Sequence, residues 1–255
     1  MTPLEQGLLA LLGFAASFFS ALAGGGAGLL QFPALVLLGL SFAAAVATHK
    51  VAVVALGVGS TLRHLREGGI DWQLLGLMTL LGLPGVVLGT RIALTIPDRP
   101  GEIIFGFVNI GLGLYSIFRP RLGIDSQPRN RRGRGLAIGG ALVFAIGWVT
   151  GLVPSGPGVF TTLLLLTWFG FDYRQAVAYT MIMVGLLWNS AGAITAGMTG
   201  PVAWHWIPAL VIGGLLGGYA GAHTGLLRGN RLIKRAYETL TLLMGIALIT
   251  QGVLG

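Results

Sequence analysis

Two glycine clusters, Gly24-Gly25-Gly26-Ala27-Gly28 and Ser155-Gly156-Pro157-Gly158, each precede an apolar run too short to cross a bilayer alone. The runs cover about 27–40 and 158–170. As helices they would reach about 20 Å, against a hydrocarbon core of about 30 Å. A helix N-terminus presents unpaired N–H groups and roughly half a positive charge. Glycine at such a start lets the backbone come close to a ligand. The chemistry on offer is anion binding by main-chain amides, with Gly24, Gly25, Gly26, Gly28, Ser155, Gly156 and Gly158 as the candidate cradle. The other reading is that these glycines only allow tight helix packing or a kink. Gln31, Thr161 and Thr162 fall in the first turns after the breaks, close to the proposed anion.

Lys50 is the sharpest single residue. It lies about a third of the way along the apolar segment 43–62, where a charge costs about 2.5–3.5 kcal/mol to insert. It is either a counter-charge for an anionic substrate or a lysine whose ammonium snorkels to the outer interface. Thr48 and His49 precede it, and their counterparts later in the chain are Tyr179 and Thr180, with Met181 where Lys50 stands. The second half thus keeps hydrogen-bonding groups but no cation, and the site is expected to be asymmetric. Asn189 falls inside the segment 174–197, where it either lines a cavity or bonds a neighbouring helix, as does Ser190. His223 and Arg91 read as interfacial anchors, His64 and His205 as loop or interface residues, and Trp72, Trp204 and Trp206 as an aromatic belt.

These residues need elements to hold them, and the chain supplies the elements twice. From Gly39, the stretch containing Ala45-Val46-Ala47 matches the stretch from Gly170 containing Ala176-Val177-Ala178. Downstream, Gly82, Gly85, Gly89, Arg99 and Gly113 recur as Gly214, Gly217, Gly221, Arg231 and Gly245. One unit has been duplicated. Glycine-interrupted apolar segments at matching positions of two halves point to a transporter's binding site.

Hydrophobic residues make up 54% of the chain and charged residues 9%, a surface that no soluble domain of this length would tolerate. An all-α polytopic membrane protein is expected. Eight long apolar segments, about 4–23, 43–62, 72–94, 101–118, 135–153, 174–197, 203–225 and 235–253, join the two short ones. The first lacks a basic leader and is read as a retained helix rather than a signal peptide. The net charge of +8 comes from arginines in short loops, a topology signal rather than a nucleic-acid footprint.

Counting the short segments as crossings gives ten, five per repeat. That count keeps Arg63, Arg66, Arg174, Arg228, Arg231, Lys234 and Arg235 on the side of the Arg-rich stretch 119–134, whereas eight crossings would scatter them. Five is odd, so the halves 1–118 and 135–255 enter the bilayer in opposite directions, as inverted repeats joined by a cytoplasmic linker at 119–134. Both chain ends then lie outside.

The eight carboxylates, Glu5, Glu67, Asp71, Asp98, Glu102, Asp125, Asp172 and Glu238, all read as loop or segment-end residues. No buried acid pair, proton relay or cation ligand is visible among them. Cysteine is absent, so thiolate metal sites and disulfides are excluded. No catalytic residue, metal site or cofactor is assigned, and no phosphate-loop or metalloprotease pattern occurs.

With Gly24 to Gly28, then Pro33, then Ala45-Val46-Ala47-Thr48-His49-Lys50 and Gly69-Ile70-Asp71-Trp72, the chain resembles the TauE/SafE family of sulfite and organosulfur-anion exporters over nearly its whole length. The resemblance implies secondary transport, usually outward, of sulfite, sulfonates or related anions across a bacterial-type cytoplasmic membrane. It carries binding roles to the glycines, Thr48 and Lys50. Two positions depart from the family pattern: Ser155-Gly156-Pro157-Gly158 replaces a fuller glycine run, and His49 stands where a small or amide side chain is common. The partners expected are a small anion, the lipid bilayer, a coupling proton or sodium ion and a second copy of the chain. The alternatives to an alternating-access exporter are a passive anion channel of the same build and a membrane-embedded enzyme or assembly factor.

Overall fold

A computed structural model describes residues 3–93, 99–153 and 156–254. Ser155, a candidate cradle residue, and Asp98 lie outside the described residues. The described chain is helical: α1 (Pro3–Ala23), α2 (Ala27–Leu37), α3 (Phe42–Leu65), α4 (Trp72–Ala93), α5 (Arg99–Ile117), α6 (Gly133–Leu152), α7 (Pro157–Thr167), α8 (Tyr173–Thr180), a π-helical segment (Met181–Trp188), α9 (Asn189–Thr199), α10 (Ile207–Arg228) and α11 (Asn230–Leu254). The segment from α8 to α9 is one continuous rod, so the described residues form ten helical rods. Six, at 3–23, 44–65, 72–92, 133–152, 173–198 and 207–228, are long and apolar enough to cross a membrane. This is a polytopic membrane architecture.

Of the eight long segments read from the sequence, α11 differs most. Gly229, at φ 78°, ends α10, and the new helix begins at Asn230 rather than 235. The first turns of α11 therefore carry Arg231, Lys234, Arg235 and Glu238. α10 begins at Ile207 instead of 203, because residues 200–206 form a turn held by Thr48, whose Oγ1 accepts the Ala203 N–H at 2.9 Å.

Side-chain caps fix the third helix of each half. Ser41 Oγ accepts from Ala44 N–H at 3.3 Å, and Asp172 Oδ1 accepts from Gln175 N–H at 2.9 Å. These oxygens satisfy donors that a helix start leaves open.

Glycine sets the helix pairing. α1 lies along α10 with both running the same way: a Cβ built on Gly213, Gly217 or Gly221 would fall 2.0–2.2 Å from the carbonyl oxygens of Ala10, Phe14 and Phe18 respectively. α6 lies along α4 in the same manner, with Gly85 and Gly89 at 2.4 and 2.0 Å from the Phe144 and Trp148 oxygens. Such distances exclude any side chain, so the backbones touch, as packing without a hydrophobic drive between helices requires. The first helix of each half thus lies on the fourth helix of the other.

Hydrogen bonds define the two ends of the bundle. At one end Gln6 reaches the His205 carbonyl, so α1 and α10 start together. At the other, Asn230 bonds Ile124 O and the Arg174 N–H, Arg174 meets Glu67, and Lys234 reaches Arg119 O. There α6 begins, with Trp168 Nε1 donating to Gly135 O. α1 and α6 therefore start at opposite ends. From the glycine breaks, α2 leads to the α1 start, packing Phe32 and Leu35 with Leu9, Ala203 and Trp206, while α7 leads to the α6 start.

Three side chains differ from expectation. Trp206 is packed in that inner cluster rather than at a lipid belt, whereas Trp72 and Trp204 are exposed. His64 is buried in the last turn of α3. Glu238 is no loop residue but pairs at 2.8 Å with the buried Lys234, both side chains being at most 16% exposed.

Candidate functional site

The two glycine breaks meet in the centre of the bundle. A Cβ on Gly25 would fall 2.8 Å from Gly158 C, and one on Gly158 would fall 2.9 Å from Gly24 O. Gly24, Gly25, Gly26 and Gly156 have φ of 83°, 147°, 108° and 105°, a region that side chains other than glycine's rarely tolerate. This backbone turns α1 into α2, and α6 into α7, without a side-chain cap: Gly26 and Gly156 precede their helices with none. The uncapped starts of α2 and α7 thus stand next to one another.

Beside them is a cavity of about 50 Å³ lined by Gly25, Gly26, Gly28, His49, Lys50, Gly156, Gly158 and Asn189 among the predicted residues. One water needs roughly 10–15 Å³ by such a measure, so the space suits a group of a few heavy atoms. Ser20, Val53, Leu56, Thr150, Met181, Val184 and Gly185 complete much of the wall.

Lys50 is 5% exposed and donates from Nζ to Thr150 O at 3.3 Å. Its ammonium is held inside, so the snorkelling alternative does not describe this structure. Gly192 makes room for it: a Cβ there would sit 3.7 Å from Nζ. Among the described residues the ion pairs are Arg63–Glu67, Arg174–Glu67 and Lys234–Glu238, so Lys50 has no carboxylate partner. Two helix starts and one ammonium leave a buried positive potential that an anion would neutralise.

The remaining predicted residues divide. Gln31 Oε1 meets His49 Nδ1 at 2.7 Å, orienting the ring that lines the cavity. Thr162 Oγ1 donates to Gly24 O at 3.0 Å and lies 3.0 Å from Thr180 Oγ1, so both brace the glycine turn. Asn189 Nδ2 reaches Gly185 O at 3.4 Å while its side chain borders the cavity. Three others turn away from it. Thr48 holds the turn before α10, Thr161 returns its hydroxyl to Pro157 O, and Tyr179 bonds the backbone of Asp71.

Two features escape sequence reasoning. The hydroxyl of Thr90, buried without a hydrogen-bond partner among the described residues, lies 4.0 Å from the same Cβ position on Gly192 that approaches Lys50. The π-helical turn at Met181–Trp188 contributes Met181, Val184 and Gly185 to the wall; such turns often mark functional positions. A signal for it exists in the repeat: Gly39 and Gly170 are 131 residues apart, but Gly82 and Gly214 are 132 apart. One residue has been added between them, in the interval that holds the π turn. Among the described residues no group of three or more His, Asp or Glu side chains is placed to hold a metal ion.

The family described as Sulfite exporter TauE/SafE matches residues 9–248. A probable membrane transporter protein of Haemophilus influenzae is 28% identical over 240 residues, covering 93% of this chain and 92% of the relative. The probable membrane transporter protein YfcA of Escherichia coli is 28% identical over 249 residues, covering 98% and 91%. YunE of Bacillus subtilis, also a probable membrane transporter protein, is 23% identical over 273 residues, covering 96% and 98%.

Proposed function

Because this chain belongs to the sulfite exporter TauE/SafE family and its relatives are named probable membrane transporter proteins, we propose that it is a secondary transporter of small sulfur-containing oxyanions such as sulfite. The observation that carries the substrate class is Lys50, buried, without a carboxylate partner among the described residues, beside the cavity where two uncapped helix starts converge. A cavity of about 50 Å³ favours a compact anion over a long sulfonate in this conformation. Gly25, Gly26, Gly28, Gly156 and Gly158 supply the cradle, Lys50 the counter-charge, and His49 and Asn189 further polar contacts.

The mechanism that suits this build is alternating access by inverted repeats, 1–118 and 135–255, with 119–134 as a cytoplasmic linker in the inner membrane. Its support is the opposite starts of α1 and α6, the exchange of packing partners between halves, and the gathering of arginines at one end. Rocking one half against the other would expose the cavity to each side in turn.

The test is uptake of radiolabelled sulfite into proteoliposomes carrying wild type or Lys50→Ala, with taurine, sulfoacetate, sulfate and thiosulfate as competitors. Saturable uptake, stimulated by anion on the opposite side and lost in the variant, supports the proposal. Non-saturable flux without counter-transport would make the protein a channel, and no uptake under any imposed proton or sodium gradient would remove the sulfur-anion assignment.

A further inference from the structure

The cavity wall contributed by α3 stops at Leu56, but the polar face of that helix does not. Lys50, Val53, Gly57, Ser60, Thr61 and His64 fall within an arc of about 100° on a regular α-helix. Ser60, Thr61 and His64 are 0%, 7% and 3% exposed. Ser60 Oγ, Thr61 Oγ1 and His64 Nε2 have no hydrogen-bond partner among the described residues. Threonines in other membrane helices of this chain, such as Thr79, Thr150, Thr167 and Thr224, return the hydroxyl to the carbonyl four residues earlier. Ser60 and Thr61 forgo that option. Three orphaned polar groups within two turns, on the face that carries Lys50, are costly in a static core and suit a surface that meets water in another state.

Between the cavity and these groups the backbones close the way. A Cβ on Gly57 would lie 2.2 Å from Gly185 O in the π-helical turn. Beyond His64, the helix end is tied across the bundle. Glu67 takes Arg63 at 3.3 Å and Arg174 at 3.0 Å, joining the end of α3 to the start of α8. Arg63 Nε donates to His223 Nδ1 and Arg66 Nη1 to Tyr219 OH, each at 3.0 Å, joining it to α10. This is the arginine-bearing end, where Glu67 is the carboxylate that holds both Arg63 and Arg174.

Resting on the transporter reading above, we infer that the α3 face from Gly57 to His64 lines the inner half of the anion path. Ser60, Thr61 and His64 are its polar contacts, and the Glu67 bridge is the latch over its mouth. Opening the latch would free Arg63 and Arg174 to draw small oxyanions toward Lys50.

The chain has no cysteine, so single thiols can be placed without background. Ser60→Cys, His64→Cys and, as control, Leu62→Cys on the outward face of α3, where Leu62 is 50% exposed, are reacted with a negatively charged methanethiosulfonate in inside-out vesicles. The Ser60→Cys and His64→Cys thiols should label at least tenfold faster than Leu62→Cys, and Glu67→Gln should accelerate them several-fold. Labelling no faster than Leu62→Cys, or a rate that Glu67→Gln leaves unchanged, would overturn the inference. Ser60→Cys is nearly isosteric, so it remains decisive if His64→Cys fails to fold, as judged by gel filtration. The reagent is the only anion used, so labelling without sulfite uptake would remove the substrate assignment and leave the path.

Discussion

Replacing Lys50 with methionine separates binding from folding. The substitution keeps the length of the side chain and removes its charge. An intramembrane ammonium costs about 2.5–3.5 kcal/mol, and its long bond to Thr150 O, at 3.3 Å, returns roughly 1.5 kcal/mol, the low end for a charged donor. Without anion, Lys50→Met should therefore be more stable than wild type by about 1–2 kcal/mol. For a chain of this size that is roughly 2–8 °C in Tm. The wild type should gain on adding sulfite: an anion at a hundred times its Kd stabilises by about 2.7 kcal/mol, or roughly 5–10 °C. The variant should show no such gain. Thermal unfolding of detergent-purified protein, followed by the monodisperse gel-filtration peak in sulfite or chloride at equal ionic strength, measures both effects. A variant that melts below wild type and keeps its sulfite-dependent rise would refute the reasoning, since Lys50 would then be a structural donor.

Further outcomes follow from neighbouring contacts. Lys234→Met should act opposite to Lys50→Met, costing up to about 3 kcal/mol by leaving the part-buried Glu238 with only the Ser116 hydroxyl; Glu238→Gln in addition should restore most of the loss, measured by the same melt. Among glycines, Gly39→Ala has open space at φ 99° and should cost about 1–2 kcal/mol from backbone strain alone. Gly57→Ala should cost about 1–3 kcal/mol from overpacking against Gly185, and Gly25→Ala, with both defects, about 2–5 kcal/mol; equal melts for Gly25→Ala and Gly39→Ala would contradict the contact with Gly158. Thr48→Val should lower stability by about 1–2 kcal/mol, by orphaning the Ala203 N–H, while leaving the half-saturating sulfite concentration in the uptake assay unchanged.

Much of this arrangement was legible in the sequence for a physical reason. Lipid admits only helices or closed barrels, continuous apolar runs of about 20 residues select helices, and their lengths then mark the segments. Gly24 to Gly28 and Gly156 to Gly158 could be read as meeting because backbone contact needs glycine on both sides. What stayed hidden depends on side-chain direction. Thr48 sits two residues from Lys50 yet faces the turn before α10, since adjacent residues on a helix point about 100° apart. Glu238 reads as peripheral because the apolar run starts only at about 235, whereas Gly229 ends α10 and lets α11 begin at Asn230, which brings its charged first turns into the bundle. The π turn changes no residue type; only the one-residue drift between the repeats betrays it.

The exchange of partners between halves sets an order of events during synthesis. α4 meets α6 soon after it is made, but α1 waits for α10, roughly 200 residues later in the chain. At about 5–20 residues per second that interval is roughly 10–40 s. For roughly the first two thirds of it the glycine break after α1 lacks Gly158 to lean on, and throughout it the α1 face that α10 will cover lies open to lipid or to a caretaker. Newly made chains should therefore be most vulnerable to membrane proteases before the last two helices emerge, and neither half is built to be finished without the other.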